Sequence, residues 1–371
     1  MIDVTSPRPV PRLHADLPGV GGSVKTEPDD FRVSEVPAYE PCGEGPHLYL
    51  RVRKTDVSAE ALTAHIARTL GVGKRDIGVA GLKDRRAVTE QWVSVPATAA
   101  PRVDEANAAG VEILESRRHT NKLKTGHLRG NRFDVLLRGT VADAAERAAP
   151  IAERLRTTGF ANAFGTQRFG KGGSTLSLGY ALLRGEKTDR DVPRKRRAFL
   201  VRLALSAAQS DLFNACLADR ISDRSAGTVS PGDVMQVRGS GGLFVVPDLP
   251  MKHELAEEQT RVDADETAVT GPIFGPRMKQ PTGEPARREA AILADSGLPD
   301  DAFRRFAKLT PGTRRPYLVR PADLSIAPAD LSAGEDGAGT SGLRVRFFLP
   351  AGSYATVLLR ELIGDESNPE T

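Results

Sequence analysis

The sequence predicts an α/β (α+β) protein in which one domain is interrupted by a second. A chain of 371 residues is long enough for two domains of ordinary size. Its first 158 residues alternate strand-like with helix-like segments, and a strand and helix at 343–364 need a sheet to join. The nearest sheet is the N-terminal one. We therefore place one domain at 1–158 and 312–371, and a mainly helical α/β insertion at 159–311.

The N-terminal segments show the periodicities of strands and helices in turn. HLYLRVRK (47–54) alternates apolar and basic residues, as a half-buried strand does. Ser58 suits the N-cap of a helix that ends before Gly71. Further strands are expected around 31–36 and at IGVA (77–80), AVTEQWVSV (87–95) and RFDVLLRG (132–139). VADAAERAAPIAERLRTTG (141–159) has the pattern of an amphipathic helix closed by Gly159.

A glycine-rich loop, NAFGTQRFGKGG (162–173), marks the junction with the insertion. The pattern of 174–310 is mostly helical, with a β-like passage at 233–248. PADLSAGEDGAG (328–339) is expected to be a polar surface loop. LRVRFFLPAG (343–352) is then expected to form a strand and SYATVLLRELIG (353–364) a helix capped by Ser353.

Composition indicates a globular protein of the cytoplasm. Hydrophobic residues make up 39% and charged residues 27% of the chain. No apolar run approaches the length of a membrane-spanning helix, and the N-terminus lacks the pattern of a secretory signal. Cys42 and Cys216 cannot build a disulfide framework. We expect a cytoplasmic protein without membrane contact and, since no association element is evident, a monomer.

Positive charge is clustered along the chain, and one stretch holds no compensating acid. The formal net charge is only +4, but 117–132 (RRHTNKLKTGHLRGNR) holds six Lys or Arg residues and no acid. Such a patch suits phosphate contacts, with Lys122, Lys124 and Arg129 as candidates for the backbone of a nucleic acid. A solvated charged surface is the alternative. The absence of compensating acids favours nucleic acid.

Several classes of active site lack their motifs. The six histidines form no HExxH and no histidine–cysteine set at metal-ligand spacing, so we expect no metal. There is no GxSxG elbow and no GxGxxG. GVGK (71–74) lacks the first glycine of a phosphate-binding loop, and Arg75 stands where Ser or Thr would bind magnesium. The motifs therefore point neither to a phosphate-binding loop nor to a dinucleotide.

Asp84 is the one carboxylate in the loop of GVAGLKDRRAVTEQ (78–91), and cations flank it at Lys83, Arg85 and Arg86. Nearby cations favour the ionised carboxylate. An ionised carboxylate in a basic loop can approach an RNA backbone and act as a nucleophile or a base. A turn aspartate in a salt-bridged loop explains the same residues. Charge alone leaves the two interpretations even.

The wider segment resembles the signature of the TruD family of tRNA pseudouridine synthases, Gly-Leu-Lys-Asp, a basic residue and Ala-x-Thr-x-Gln. Further segments resemble the same family in the expected order, and the resemblance spans the chain. They are VKTEPDDFRVSE (24–35), LRGNRFDVLLRG (128–139), NAFGTQRFG (162–170), TGPIFGPRM (270–278) and FFLPAGSYATVLLREL (347–362).

The resemblance implies that Asp84 is the catalytic residue and that Phe31, Asn131 and Phe133 are the other active-site positions. A phenylalanine can stack on an extruded base. Asn131 can hydrogen-bond the carboxylate or its loop, and Phe133 projects from the same face of a strand. The alternatives are core positions for both phenylalanines and a turn position for Asn131.

The resemblance also implies a basic partner for the carboxylate. Lys25, Lys83 and Arg360 are candidates, and Lys25 and Lys83 are expected to line the site. The implied fold is a pseudouridine-synthase catalytic domain with a mixed, largely antiparallel sheet, plus the inserted domain particular to TruD. The implied partner is tRNA, held in a cleft between the domains, with uridine 13 of the D-arm region as the target. The resemblance further implies an isomerase reaction that needs no cofactor or metal.

Two other classes of function remain open from the residues alone. An RNA-binding module without activity shares the basic stretch but has no need for Asp84. A hydrolase with an aspartate nucleophile normally needs a metal or a second acid, and the local sequence offers neither.

Overall fold

The structure, a computed structural model, describes residues 6–249, 251–331 and 341–365. Its strands are β1 (Gly21–Ser23), β2 (Phe31–Pro37), β3 (His47–Thr55), β4 (Gly78–Val79), β5 (Val88–Pro96), β6 (Val111–His119), β7 (Leu128–Thr140), β8 (Phe160–Ala161), β9 (Val234–Val237), β10 (Leu243–Val245), β11 (Thr267–Ile273), β12 (Thr313–Pro316), β13 (Leu318–Val319), β14 (Ala322–Asp330) and β15 (Ser341–Pro350). Its helices are α1 (Ala59–Leu70), α2 (Ala144–Thr157), α3 (Ser174–Arg184), α4 (Arg197–Ser222), α5 (Lys252–Asp263), α6 (Gly283–Asp295), α7 (Ala302–Arg305) and α8 (Ala355–Ile363).

A mixed sheet unites the first and last parts of the chain. Along its main path the strands lie in the order β14-β15-β7-β2-β5-β3-β6, with β1 beside β7 and β4 beside β5. Within the described residues, β2 and β5 form its one parallel pair and the other pairs are antiparallel. The mixed, largely antiparallel sheet is therefore confirmed. The last strand, β15, pairs with β7 as its need for a sheet predicted.

Local signals in the sequence correctly predicted the start and end of α1. The Ser58 side chain accepts a hydrogen bond from the Ala61 backbone N–H at 3.1 Å. Gly71 ends the helix with φ 67°, a left-handed conformation that glycine adopts without the steric cost of a Cβ. The predicted serine cap of α8 is wrong, because Tyr354 occupies the N-cap position of that helix.

Apolar side chains pack against the sheet in separate clusters, two of which contain residues of the helices α1, α2 and α8. Leu62 and Ile66 of α1 pack with Leu50 in one cluster, and Ile151 of α2 and Leu358 of α8 pack in the other. Directly paired residues of neighbouring strands project to the same face. The register of the strands therefore decides which side chains of β2, β5 and β7 meet around the Asp84 loop.

The insertion has its own sheet, in the order β10-β9-β11-β12, and helices α3 to α7. The predicted β-like passage at 233–248 contains β9 and β10. The prediction that 174–310 is mostly helical is wrong at 267–273, which form strand β11. Most of β11 is buried, so it lacks the alternation of polar and apolar residues by which a strand is recognised.

The domain limits drawn from the sequence stay a prediction. Strand β12 (Thr313–Pro316) pairs with β11, which favours an end of the insertion a few residues after 311. The polar loop expected at 328–339 begins later than predicted, because β14 extends to Asp330. Residues 332–339 of that loop lie outside the described part of the chain.

Candidate active site

Asp84 lies in the loop between β4 and β5. Both β2 and β4 pair with β5, β2 over Val88–Glu90 and β4 over Val93–Ser94. The loop therefore runs back along the stretch where β2 and β5 pair. Its carboxylate is 45% exposed, so a large ligand can reach it. Arg86 donates to the Thr26 backbone oxygen at 2.5 Å and ties the loop to the segment before β2.

Lys25 is the basic partner of Asp84. Its Nζ lies 2.6 Å from Oδ2 of Asp84 and 4.3 Å from the ring centroid of Phe31. The Lys25 backbone has φ 60°, which costs a non-glycine residue roughly 1–2 kcal/mol. Such strain persists where the surrounding structure enforces it, and it concentrates at functional sites.

Lys83, the neighbour of Asp84 in sequence, makes a different contact. Its Nζ lies 2.7 Å from Oε2 of Glu35, and these side chains are 6% and 1% exposed. Glu35 also accepts a hydrogen bond from the Trp92 backbone N–H at 3.3 Å. Lys83 thus anchors the loop to β2 instead of pairing with the Asp84 carboxylate.

Lys54 of β3 contacts the Asp84 loop, and the sequence analysis did not predict this contact. Its side chain is fully buried, and Nζ donates to the backbone oxygen of Asp84 at 2.5 Å. Burial lowers the pKa of Lys54 to about 8, and the nearby Asp84 charge opposes that shift. The alternating pattern of 47–54 could have signalled it, because Lys54 falls in the phase of the buried residues Leu48, Leu50 and Val52.

Three phenylalanines lie in a row that begins at Phe31, whose ring faces the Lys25 ammonium. Phe31 and Phe133 contact edge to face with ring centroids 6.0 Å apart, and Phe133 stacks on Phe347 at 5.0 Å. Phe31 is 3% exposed and Phe347 is 2% exposed, whereas Phe133 is half-buried. Of the three rings, Phe133 has the surface to receive an aromatic base. Phe31 is a core residue beneath the Lys25 ammonium.

Asn131 lies two residues before Phe133 on β7, paired with Glu35 of β2 on one side and Leu349 of β15 on the other. Its Oδ1 is buried, and no hydrogen-bond partner for it occurs among the described residues. The same holds for Thr89 Oγ1 and Gln91 Oε1 of β5. Buried polar atoms without partners are rare in folded proteins, and these occur on the strands around the Asp84 loop. No hydrogen bond joins the side chains of Asn131 and Asp84 in the described structure.

The family model described as "tRNA pseudouridine synthase D (TruD)" matches residues 11–189 and 194–362. A tRNA pseudouridine synthase D from Anaeromyxobacter dehalogenans strain 2CP-1 is 42% identical over 363 residues, which cover 97% of this chain and 98% of that protein. A protein of the same name from Thermus thermophilus is 40% identical over 369 residues, covering 98% of this chain and 95% of that protein. The chain belongs to the TruD family of tRNA pseudouridine synthases.

A solved structure described as a putative TruD protein from Methanosarcina mazei has the same fold. It superposes with a TM-score of 0.76 and 23% sequence identity, and the match covers 97% of each chain. The fold class predicted from the sequence is therefore confirmed for this TruD chain.

The basic stretch 117–132 packs against the strand that leads to the Asp84 loop. The Gly126 N–H donates to the Ala80 backbone oxygen at 2.9 Å. Lys122 donates to the Arg75 backbone oxygen, while Lys124 and Arg129 are exposed. The stretch thus places positive charge next to the loop, and its contact with RNA stays a prediction.

Arg360 makes contacts that do not include Asp84. It pairs with Asp365 at 2.6 Å and donates to the Val10 backbone oxygen at 2.7 Å. Of the three candidate basic partners, Lys25 is the one that the structure brings to the carboxylate. Among the residues described, no group of three or more His, Cys, Asp or Glu side chains is placed to hold a metal ion. The described helices include none that is both long and apolar enough to cross a bilayer.

Proposed function

We propose that this TruD protein isomerises a uridine of tRNA to pseudouridine with Asp84 as the catalytic carboxylate. The carrying observation is the exposed Asp84 carboxylate held 2.6 Å from the Lys25 ammonium, which lies over the Phe31 ring, and Phe31 in turn contacts the half-buried ring of Phe133. In the reaction the bond from ribose C1′ to N1 of uracil breaks, the base rotates, and a bond from C1′ to C5 forms. C5 loses a proton and N1 gains one, so the reaction is an isomerisation.

Two routes fit the position of Asp84. Its carboxylate can attack C1′ and later be displaced by C5, or it can remove a proton from the sugar to form a glycal-like intermediate. Both routes use an ionised carboxylate next to the ribose. The Lys25 ammonium stabilises that charge through a charge-assisted hydrogen bond.

Phe133 and Asn131 are proposed to hold the extruded uracil. Phe133 supplies a ring on which the base can stack, which is worth about 1–3 kcal/mol per base. The buried Asn131 Oδ1, which has no partner among the described residues, can accept a hydrogen bond from the base. The Phe31 ring contacts the Lys25 ammonium in a cation–π interaction.

We further propose uridine 13 of the D-arm region as the target, and a cytoplasmic monomer that works without metal or cofactor. The family membership supports the target, and the composition of the chain supports the location. The monomeric state stays a prediction, which sedimentation of the purified protein tests.

The test of the proposed function is Asp84→Asn. We expect the variant to bind tRNA with unchanged affinity and to lose pseudouridine formation by about 10²- to 10⁴-fold or more, because the amide neither attacks nor accepts a proton. The assay is tritium release from tRNA labelled at C5 of uridine. Asp56→Asn is the matched control, because Asp56 is another exposed aspartate beside the same basic loop, 3.4 Å from Arg85.

Full activity of Asp84→Asn would remove Asp84 from catalysis. A wild-type protein that binds tRNA yet releases no tritium would overturn the enzymatic assignment in favour of an RNA-binding module. Mapping pseudouridine in tRNA from cells with and without the protein then tests position 13.

A further inference from the structure

A cavity of about 430 Å³ opens where the insertion meets the turn after β15. Its walls include Ser206 and Ser210 of α4, Arg315 of β12 and Ala351 and Ser353 of the turn. The lining residues include three arginines and no aspartate or glutamate. A cavity of this composition is suited to an anion.

Two of the three arginines in this cavity are already neutralised. Arg238 lies 3.1 Å from Asp265, and Arg314 lies 2.7 Å from Glu289. Arg315 differs, since its contacts in the described part of the chain include no carboxylate.

Arg315 is held in place by backbone oxygens instead. It donates to those of Asn162 and Gly352 at 3.0 and 2.9 Å. Burial and, to a smaller extent, the charge of Arg168 lower the pKa of Arg315 to about 10. The guanidinium is therefore still charged at neutral pH.

Arg168 adds a second cation at the same place. The guanidinium carbons of Arg315 and Arg168 lie 4.3 and 5.8 Å from the ring centroid of Phe164. Arg168 donates to the hydroxyls of Ser206 and Ser210, both of which line the cavity. Its contacts among the described residues include no carboxylate. Two arginines that contact the same ring and have no carboxylate partner in the described structure create a local positive electrostatic potential.

The cavity lies close to the candidate active site. Arg315 bonds the oxygen of Gly352, and Leu349, three residues earlier on the same chain, pairs with Asn131. At about 3.3 Å per residue of extended chain, Gly352 lies no more than about 10 Å from Leu349, the residue that pairs with Asn131. This spacing suits a phosphate near the nucleotide whose base reaches Asn131 and Phe133.

We propose that Arg168 and Arg315 bind a phosphodiester group of the RNA strand, next to the nucleotide held at Asp84. The planar fork of arginine matches the oxygens of a phosphate, and the half-buried position strengthens the contact. The identity of the anion as RNA rests on the proposed function.

The test measures the affinity of an unmodified tRNA transcript across a series of salt concentrations. Arg315→Gln and Arg168→Gln are each expected to weaken binding by about 10- to 100-fold, because each removes a charged hydrogen bond to phosphate. Each is also expected to reduce the slope of log K against log salt by about 0.7. Arg238→Gln is the matched control in the same cavity and keeps the wild-type slope, because its charge is balanced by Asp265.

Thermal unfolding separates binding from folding in these variants. Arg315→Gln also removes bonds to two backbone oxygens, so a lower Tm is expected for it. Arg168→Gln gives up bonds to serine hydroxyls and the contact with the Phe164 ring but no bond to a backbone oxygen, so it decides the question if Arg315→Gln does not fold. A wild-type slope in folded Arg168→Gln would overturn the phosphate site. The proposed function is tested separately by tritium release from the wild-type protein. If the wild type releases no tritium, the slopes of the arginine variants can still differ from the wild-type slope.

Discussion

The ammonium of Lys25 and the carboxylate of Asp84 lie 2.6 Å apart, although 59 positions separate the two residues in the chain. The contact joins the loop between β4 and β5 to the segment that precedes β2. Lys25 reaches the carboxylate from a left-handed backbone conformation. This strained conformation places a cation at the exposed carboxylate of the motif.

Replacing Lys25 by glycine and by alanine is expected to separate the effect of its ammonium on catalysis from the effect of its backbone strain on stability. Both variants remove the ammonium, so pseudouridine formation is expected to fall by about 10²-fold or more. Lys25→Gly is expected to be about 1 kcal/mol more stable than Lys25→Ala, because glycine tolerates a positive φ. Tritium release measures the first effect and urea unfolding the second. Wild-type activity in either variant contradicts the assigned role of the ammonium.

Lys54→Met is expected to lower the catalytic rate while leaving tRNA affinity unchanged, because Lys54 holds the backbone of Asp84 and is fully buried. The pKa of Lys54 is lowered to about 8, so between pH 8 and about 10.4 the unfolded chain binds more protons than the folded one. The free energy of unfolding of the wild type should therefore rise with pH relative to Lys54→Met, by about 1–2 kcal/mol. Urea unfolding at about pH 7 and about pH 9.5 measures this difference.

Arg53→Met is the control for Lys54→Met. Arg53 precedes Lys54 on β3 and pairs with Glu90. Because successive side chains of a strand point to opposite faces, the Arg53 side chain is on the face opposite to that of Lys54. A difference between wild type and Lys54→Met that does not change with pH would refute the lowered pKa. A raised KM with unchanged kcat would refute the positioning role.

Lys83→Met is expected to destabilise the fold by about 3 kcal/mol or more, because it leaves the Glu35 carboxylate buried without its cation. The double variant Lys83→Met with Glu35→Leu should recover part of that loss. Arg85→Met is the control, since its contact with Asp56 is exposed and is worth less than about 1 kcal/mol. Urea unfolding measures all three, and equal stabilities of Lys83→Met and Arg85→Met would contradict the buried pair.

Lys122→Gln and Lys124→Gln test the basic stretch. Each lost contact with a single-stranded segment is expected to reduce the slope of log K against log salt by about 0.7, because fewer counter-ions are released on binding. Affinity for an unmodified tRNA transcript at several salt concentrations measures the slope. Lys187→Gln, at an exposed lysine outside the stretch, is the control. An unchanged slope in both test variants would leave the stretch a solvated surface.

Much of the fold could be predicted from short-range patterns. The cap at Ser58, the glycine that ends α1 and the alternation of 47–54 are local effects of backbone and solvent, and the structure contains them. Strand β11 was missed because a strand with few exposed positions has no alternation to detect. The cap of α8 was missed because the helix begins at Ala355, one residue later than a Ser353 cap requires, and Tyr354 caps it without a side-chain hydrogen bond.

By itself, the sequence determined the family, the mixed sheet and the candidate carboxylate, because these depend on motifs that are contiguous in the chain. Only the tertiary structure decided which cation meets Asp84. Lys83 is adjacent in sequence, yet its side chain is buried against Glu35, while Lys25 and Lys54 approach the loop from the segment before β2 and from β3. Neighbours along a chain share a backbone and need not share a direction, so contacts between side chains follow from strand order and register.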